Sequence, residues 1–425
     1  MFIARSVRRV RFARLVFVLA GVLPCVCLAA WAVHLRSAGH RESLRARWQQ
    51  AVGLPLEVAA VEHLRPGVVR VHGGVLRAEN GGSPLPLPVL EVEDAAGELR
   101  LRVARLDLGA DAAGLLAGLA AEWLDRESRF PRDCVIDVGE LHWDVTGWSG
   151  IGRGSAAGRL RIECVAREGT RAIRCSLAAA DGNGRPCEMR VVRLPVAADR
   201  GGDVRYEINA DCGTPLPLAV VARLFPGAPV PAIGSAAAVS GTLEARADGG
   251  RSSGRLAARV ERADLTGCAA LVGGRAAGEA EIVVRRLDWD AGRLSFAEAE
   301  VLAGPGQVGR GGLDAVGRAF GLRPGERLFA LPAGADPQFD AAGMLLRIDS
   351  RGLEILSPTR LQGAVAVVGG RPLVEPPTMI VPLGRLADWL AGPAGGGLPT
   401  GRPGRIEDLL PRGSEAVRPG TRGGF

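Results

Sequence analysis

From Leu15 to Val33 the chain reads LVFVLAGVLPCVCLAAWAV, a run without a single charged side chain. A helix of that length crosses the hydrocarbon core of a bilayer, so this stretch constrains the protein more than any other. Leu15, Phe17, Leu19, Leu23, Leu28 and Trp31 are the expected membrane-anchor residues. Arg5, Arg8, Arg9, Arg11 and Arg14 precede the run, and the positive-inside rule then places the N-terminus in the cytoplasm and the bulk of the chain outside. Arg36, Arg41, Arg45 and Arg47 beyond the run weaken that asymmetry. The competing reading is a signal peptide cleaved near Ala30-Trp31-Ala32. Either way the rest of the chain is exported. Cys25 stands behind Pro24, a poor fit to the small residue that lipoprotein processing requires.

Charge sharpens the division. The chain has a formal net charge of +7. Residues 1–50 hold nine arginines against the single acid Glu42, which leaves 44 arginines against 45 acids in the remainder. The basicity therefore belongs to the membrane-proximal end and suits acidic lipid headgroups. A nearly neutral body with 4% aromatic residues argues against nucleic acid as a partner, which needs a basic face and stacking rings. Lysine is absent from the sequence, so lysine-dependent phosphate loops, Schiff bases and lysine general bases are excluded.

Beyond the anchor, alternation with period two dominates and predicts a mainly β fold with a few short helices. Leu99, Leu101 and Val103 alternate with charged residues, and the phase then slips to Leu106 and Leu108, which predicts a bulge. Leu141, Trp143 and Val145 alternate in the same way. Further strand pairs with short Gly- or Asp-containing connections are expected over 278–290 and 293–304, over 341–356 and over 359–376. Amphipathic helices are expected over 111–128 and 312–322. PLAVVARLFPG (217–227) and PLGRLADWLAG (382–392) align without a gap, each with proline at a helix start and glycine after its end.

Residues 159–213 contain four alternating runs separated by short polar connections, the pattern of an antiparallel meander. Leu160, Ile162, Ile173, Leu177, Met189 and Val191 form its apolar side and are candidates to line either a groove or a core. Cys164, Cys175, Cys187 and Cys212 share that side. Folding the hairpins about their turns sets Cys164 roughly opposite Cys175, with Cys187 near the register of each neighbour. A cross-strand disulfide among the four is one reading in an oxidising compartment; small buried hydrophobes is the other.

Catalytic sets are hard to assemble. The five histidines, His34, His40, His63, His72 and His142, all lie in the first third of the chain. No CxxC or Cys-His spacing indicates a metal. GWSGIGRGSAAG (147–158) leads into a strand and not a helix, so it lacks the helix N-terminus that a phosphate loop uses. The expectation is a protein that is not an enzyme, with no cofactor and no metal.

The anchor followed by LRARWQQAVGLPLEVAAVEHLRPGVVRVHGGVLRAENGG resembles the opening of the AsmA-like envelope proteins. The segments 239–265, 297–322 and 339–356 are similar to the C-terminal part of that family, most of all GPGQVGRGGLDAVGRAFGL. The resemblance implies an elongated, curved, groove-like antiparallel sheet tethered to the inner membrane, with its bulk in the periplasm. It implies a role in lipid transport or envelope assembly, with phospholipid or envelope assembly proteins as partners. About eighteen strands at ~4.8 Å each would give a sheet of only ~85 Å, short for a bridge between two membranes. The main alternative is a periplasmic scaffold with a filled core. The expected organisation is a cytoplasmic stub and anchor (1–36), an N-terminal β-rich module (37–215), a C-terminal AsmA-like module (216–393) and a disordered Pro/Gly/Arg tail (394–425).

Overall fold

A computed structural model describes residues 12, 14–52, 56–77, 84–108 except 96, helical positions between 116 and 125, 133–143, 156–178 except 168, 185–195, 204–218, 221, 233–271 except 235, and 274–391 except 333. The expected tail (394–425), Arg5, Arg8, Arg9, Arg11 and most of the first echo segment at 217–227 lie outside the described residues.

Helix α1 (Arg14–Arg36) has the length and apolarity to span a membrane, and none of its apolar window is buried in the protein. Leu15, Phe17, Leu19, Leu23, Leu28 and Trp31 all point outward. Val18–Val22 form a π turn in which the amide of Leu23 donates to the carbonyl of Val18. Pro24 accounts for it: proline offers no amide and its ring crowds the carbonyl four residues back, so the turn widens. Helix α2 (Ala38–Val52) comes almost at once after it.

The body is one 19-stranded sheet. Its first half contains β1 (Leu56–Glu57), β2 (Ala60–Arg65), β3 (Val68–Leu76), β4 (Leu85–Ala95), β5 (Glu98–Leu108), β6 (Asp133–Trp143), β7 (Ala156–Arg167), β8 (Thr170–Ala178), β9 (Cys187–Leu194) and β10 (Arg205–Pro217). Next come β11 (Ala238–Asp248), β12 (Arg251–Asp264), α3 (Leu265–Leu271), β13 (Ala276–Ala277), β14 (Glu279–Asp290), β15 (Arg293–Ala303) and β16 (Gly306–Val308). The C-terminal part adds α4 (Arg310–Phe320), β17 (Arg323–Pro324), α5 (Glu326–Phe329), β18 (Gln338–Phe339), β19 (Ala341–Asp349), β20 (Gly352–Leu356), β21 (Ala366–Val368), β22 (Arg371–Glu375) and α6 (Leu383–Ala391). Strands β13, β16 and β18 make a separate small sheet.

Neighbours in sequence are neighbours in the ladder from β2 through β12, and the order continues β14, β15, β19, β20. Strands β1 and β2 both pair with β3, and β20 and β21 both pair with β19, so some strands lie end to end. The ladder therefore spans roughly 75 Å along its hydrogen-bonding direction. Strand β10 runs through the expected module boundary at 215 and pairs on both sides, so the ladder passes from one half to the other without a break.

Among the described strands one pair departs from the antiparallel pattern: β5 and β6 are parallel. The connection between them contains helical turns at 116–125, which carry the chain back to the end at which β5 began. The expected phase slip is present. Leu99, Leu101, Val103 and Leu106 are all buried, and the β6–β7 register shifts between Val138 and Leu141. In the C-terminal half, the indole of Trp289 lies over Gly254 on the adjacent strand. A Cβ at Gly254 would stand 2.5 Å from that ring and 2.3 Å from the Glu244 carbonyl, so only glycine admits the approach.

Candidate functional site

The two faces of the sheet differ in chemistry. On one, arginines meet carboxylates across and along the strands: Arg70 with Glu91 at 2.7 Å, Arg259 with Glu281 at 2.9 Å and Arg285 with Glu300 at 2.7 Å. Arg286, joined by Arg255, holds the Asp288 carboxyl below the usual carboxylate range by direct hydrogen bonds. These are exposed pairs, each worth at most about 1 kcal/mol, and their main effect is to keep this face in water.

The other face carries an unbroken apolar row that crosses the strands at right angles. Paired position by paired position it runs Val69, Val92, Leu101, Ile136, Ile162, Cys175, Met189 and Ala210. It continues through Leu243, Leu256, Leu287, Ala297, Ile348 and Leu353. A second row beside it links Leu216, Val239, Val260, Ile282, Val301 and Met344.

What covers this face changes along the sheet. At the N-terminal end Trp48 of α2 joins Leu56, Val71, Leu90, Leu101 and Leu160 in one buried cluster. Trp123 and Leu124 cap Cys164 and Ile173 in another. At the C-terminal end α4 and α6 place Phe320, Leu386 and Ala387 over Leu353 and Ile355. Between them, Ile208, Leu243, Leu256, Leu287, Ile282 and Val301 are only half-buried, and none belongs to any of the buried clusters. The middle of a wide sheet thus leaves a lane of aliphatic side chains open. From Ala210 to Ala297 it is about 19 Å long, more than the ~15 Å depth of one membrane leaflet, and the next residue of the row, Ile348, packs against the cluster under α4 and α6.

The meander residues singled out from the sequence lie under the first cover. Leu160 and Ile173 are buried, Ile162 and Leu177 pack against the same clusters, Val191 lies beside Ile173, and Met189 is half-buried. The open lane begins beyond them, at β10. Strand alternation marked both regions alike, and the positions of the covering helices separate them.

The cysteine arrangement agrees with the hairpin folding at Cys187 and Cys212 and departs from it at Cys164 and Cys175. Cys187 and Cys212 face one another across β9 and β10 and are disulfide-bonded. Cys164 and Cys175 are free thiols, two residues out of register: Cys164 faces Ile173 in β8 and Cys134 in β6, while Cys175 faces Ile162 and Met189. The β7–β8 register is centred on the turn that closes on Arg167 and Thr170, which puts Cys164 against Ile173 and leaves Cys175 one pleat repeat further along. Burial pushes the Cys134 thiol up to about 12 and Cys175 to about 11, and raises Cys164 further, with neighbouring Cys134 and Cys175 adding to the rise. The sequence reading missed Cys134; its alternation in 133–143 was the available signal.

Where α2 meets β2, the Nε2 atoms of His40 and His63 lie 3.1 Å apart, and the His34 ring stands 5.2 Å from that of His40. Among the described residues no group of three His, Cys, Asp or Glu side chains is arranged to hold a metal ion.

Fold and site together define a protein with an N-terminal helix fit to span a membrane and a long, open, two-faced β-sheet. The chain matches no protein-family model, no curated protein and no solved structure.

Proposed function

We propose that this chain is an AsmA-like, inner-membrane-anchored periplasmic protein that handles lipid along the open apolar lane, and that it is not an enzyme. The observation that carries the reading is the row from Ala210 to Ala297, aliphatic at every strand and belonging to none of the buried clusters. Exposing so many half-buried aliphatic side chains is costly in water at about 25 cal/mol per Å², and acyl chains are the natural cover for a lane of this width. The anchor supports delivery from a bilayer, since α2, which follows it, contributes Trp48 to the cluster in which the same apolar row begins, at Val69 of β3. Arginines before α1 support a cytoplasmic N-terminus. At roughly 75 Å the sheet suits transfer to a partner or support of a larger assembly better than an unaided bridge.

The test is site-specific photocrosslinking in native membranes, with a benzophenone side chain replacing Leu256 or Leu287 on the lane and Arg259 on the opposite face. Lipid-mass adducts at the two lane positions and none at Arg259 support the reading. Protein adducts without lipid at the lane positions would replace it with the scaffold reading.

A further inference from the structure

The lane ends beside a cleft of about 590 Å³, open to solvent, beneath α4. Arg310, Leu313, Asp314, Gly317 and Arg318 form its wall, at the spacing of one helix face. Its floor is apolar: Leu328 and Val374 belong to a buried cluster against which Leu313, Leu322 and Met344 pack. Met344 is also the β19 member of the second apolar row, so one apolar layer joins the cleft floor to the end of the lane. Phe329 adds an aromatic rim that is 76% exposed.

Three guanidinium groups overlook this floor. Arg310 is engaged by Asp314 at 3.3 Å and Arg323 by Glu375 at 3.0 Å. Arg318 donates through Nε to the Asp314 carbonyl at 3.3 Å, and among the described residues no carboxylate lies within ion-pair distance of it. Arg318 is exposed and lines the cleft above its apolar floor. A guanidinium suits a phosphate, which accepts two parallel hydrogen bonds from it.

We infer that this cleft is a headgroup site for an anionic amphiphile, in which Arg318 meets the phosphate while the acyl chains lie toward Met344 and the lane. The inference rests on the lipid reading and adds to it a preference of charge. Zwitterionic lipids carry their own cation beside the phosphate and gain less from a guanidinium that lacks a carboxylate.

The full chain, in a neutral detergent, is illuminated with phosphatidylglycerol or phosphatidylcholine of matched diazirine-bearing chains, and adducts are mapped by peptide mass. In the wild type, phosphatidylglycerol should label residues 310–329 about ten times more than phosphatidylcholine, the effect of one charge-assisted hydrogen bond. Arg318→Gln should remove that preference at the cleft and leave labelling of β12 and β14 unchanged, while Arg318→Lys restores part of it. Equal labelling of the cleft by both lipids, with the lane still labelled, would overturn the headgroup site and leave the lipid lane standing. No labelling at either place would remove both. Abolition of cleft labelling by excess glycerol phosphate would show that a free phosphate suffices, and the amphiphile assignment would fall.

Discussion

The guanidinium of Arg171, on β8, lies 5.1 Å from the centre of the Trp123 ring and donates to the Trp123 carbonyl at 2.5 Å. Arg171 is only 3% exposed, on the apolar side of its strand beside Ile173. It pins the helical segment at 116–125 onto the meander, which is why the sheet is covered there and bare further on. Arg171→Met keeps much of the stem and removes the charge and its hydrogen bond. It should lower stability by about 2 to 3 kcal/mol, read as an earlier denaturant midpoint, with Trp123 fluorescence shifting as the segment lifts.

Truncations should separate the two kinds of apolar face. Leu90 is 2% exposed in the N-terminal core, and Leu90→Ala should cost about 3 kcal/mol through the cavity it leaves. Leu256 lies half-buried on the open lane, and Leu256→Ala should cost no more than about 1 kcal/mol. Parallel urea titrations measure the difference, and equal costs would mean that the lane is filled in the isolated protein.

The junction between α2 and β2 should be acid-sensitive. Slight burial, together with the charges of His63 and His34, lowers the His40 pKa from 6.5. A histidine with a depressed folded pKa is neutral in both states above 6.5. As pH falls below that value the unfolded chain takes up the proton more readily, so stability is lost on acidification and not on alkalinisation. Proton NMR of the His40 ring against pH should show a midpoint below that of an exposed histidine, and His40→Gln should flatten the acid loss of thermal stability.

Cysteine chemistry should track burial. At neutral pH Cys134, Cys164 and Cys175 should resist maleimide in the folded protein and react once it is unfolded, because the thiolate is the reactive form. Peptide mapping without reductant should recover Cys187 joined to Cys212 and the other three as thiols.

Much of this protein is set by local pattern. The span from Leu15 to Val33 needs only an uncharged run of sufficient length, and the strands from Glu98 onward need only alternation, because both depend on which side of an element each residue faces. The phase slip at Leu106 and the helix at Arg310–Phe320 were legible for the same reason. Registers were less so: Cys187 meets Cys212, near the expected register, but Cys164 meets Ile173 and Cys134 instead of Cys175, because a two-residue offset keeps each side chain on its face and leaves the alternation unchanged. The parallel pairing of β5 with β6 depended on a helical connection whose route no local pattern fixes. Alternation made Ile173 and Leu256 look alike. Only the tertiary structure sets Trp123 and Leu124 over the first and leaves the second open, because burial is decided by what another part of the chain brings to a face, and not by the face itself.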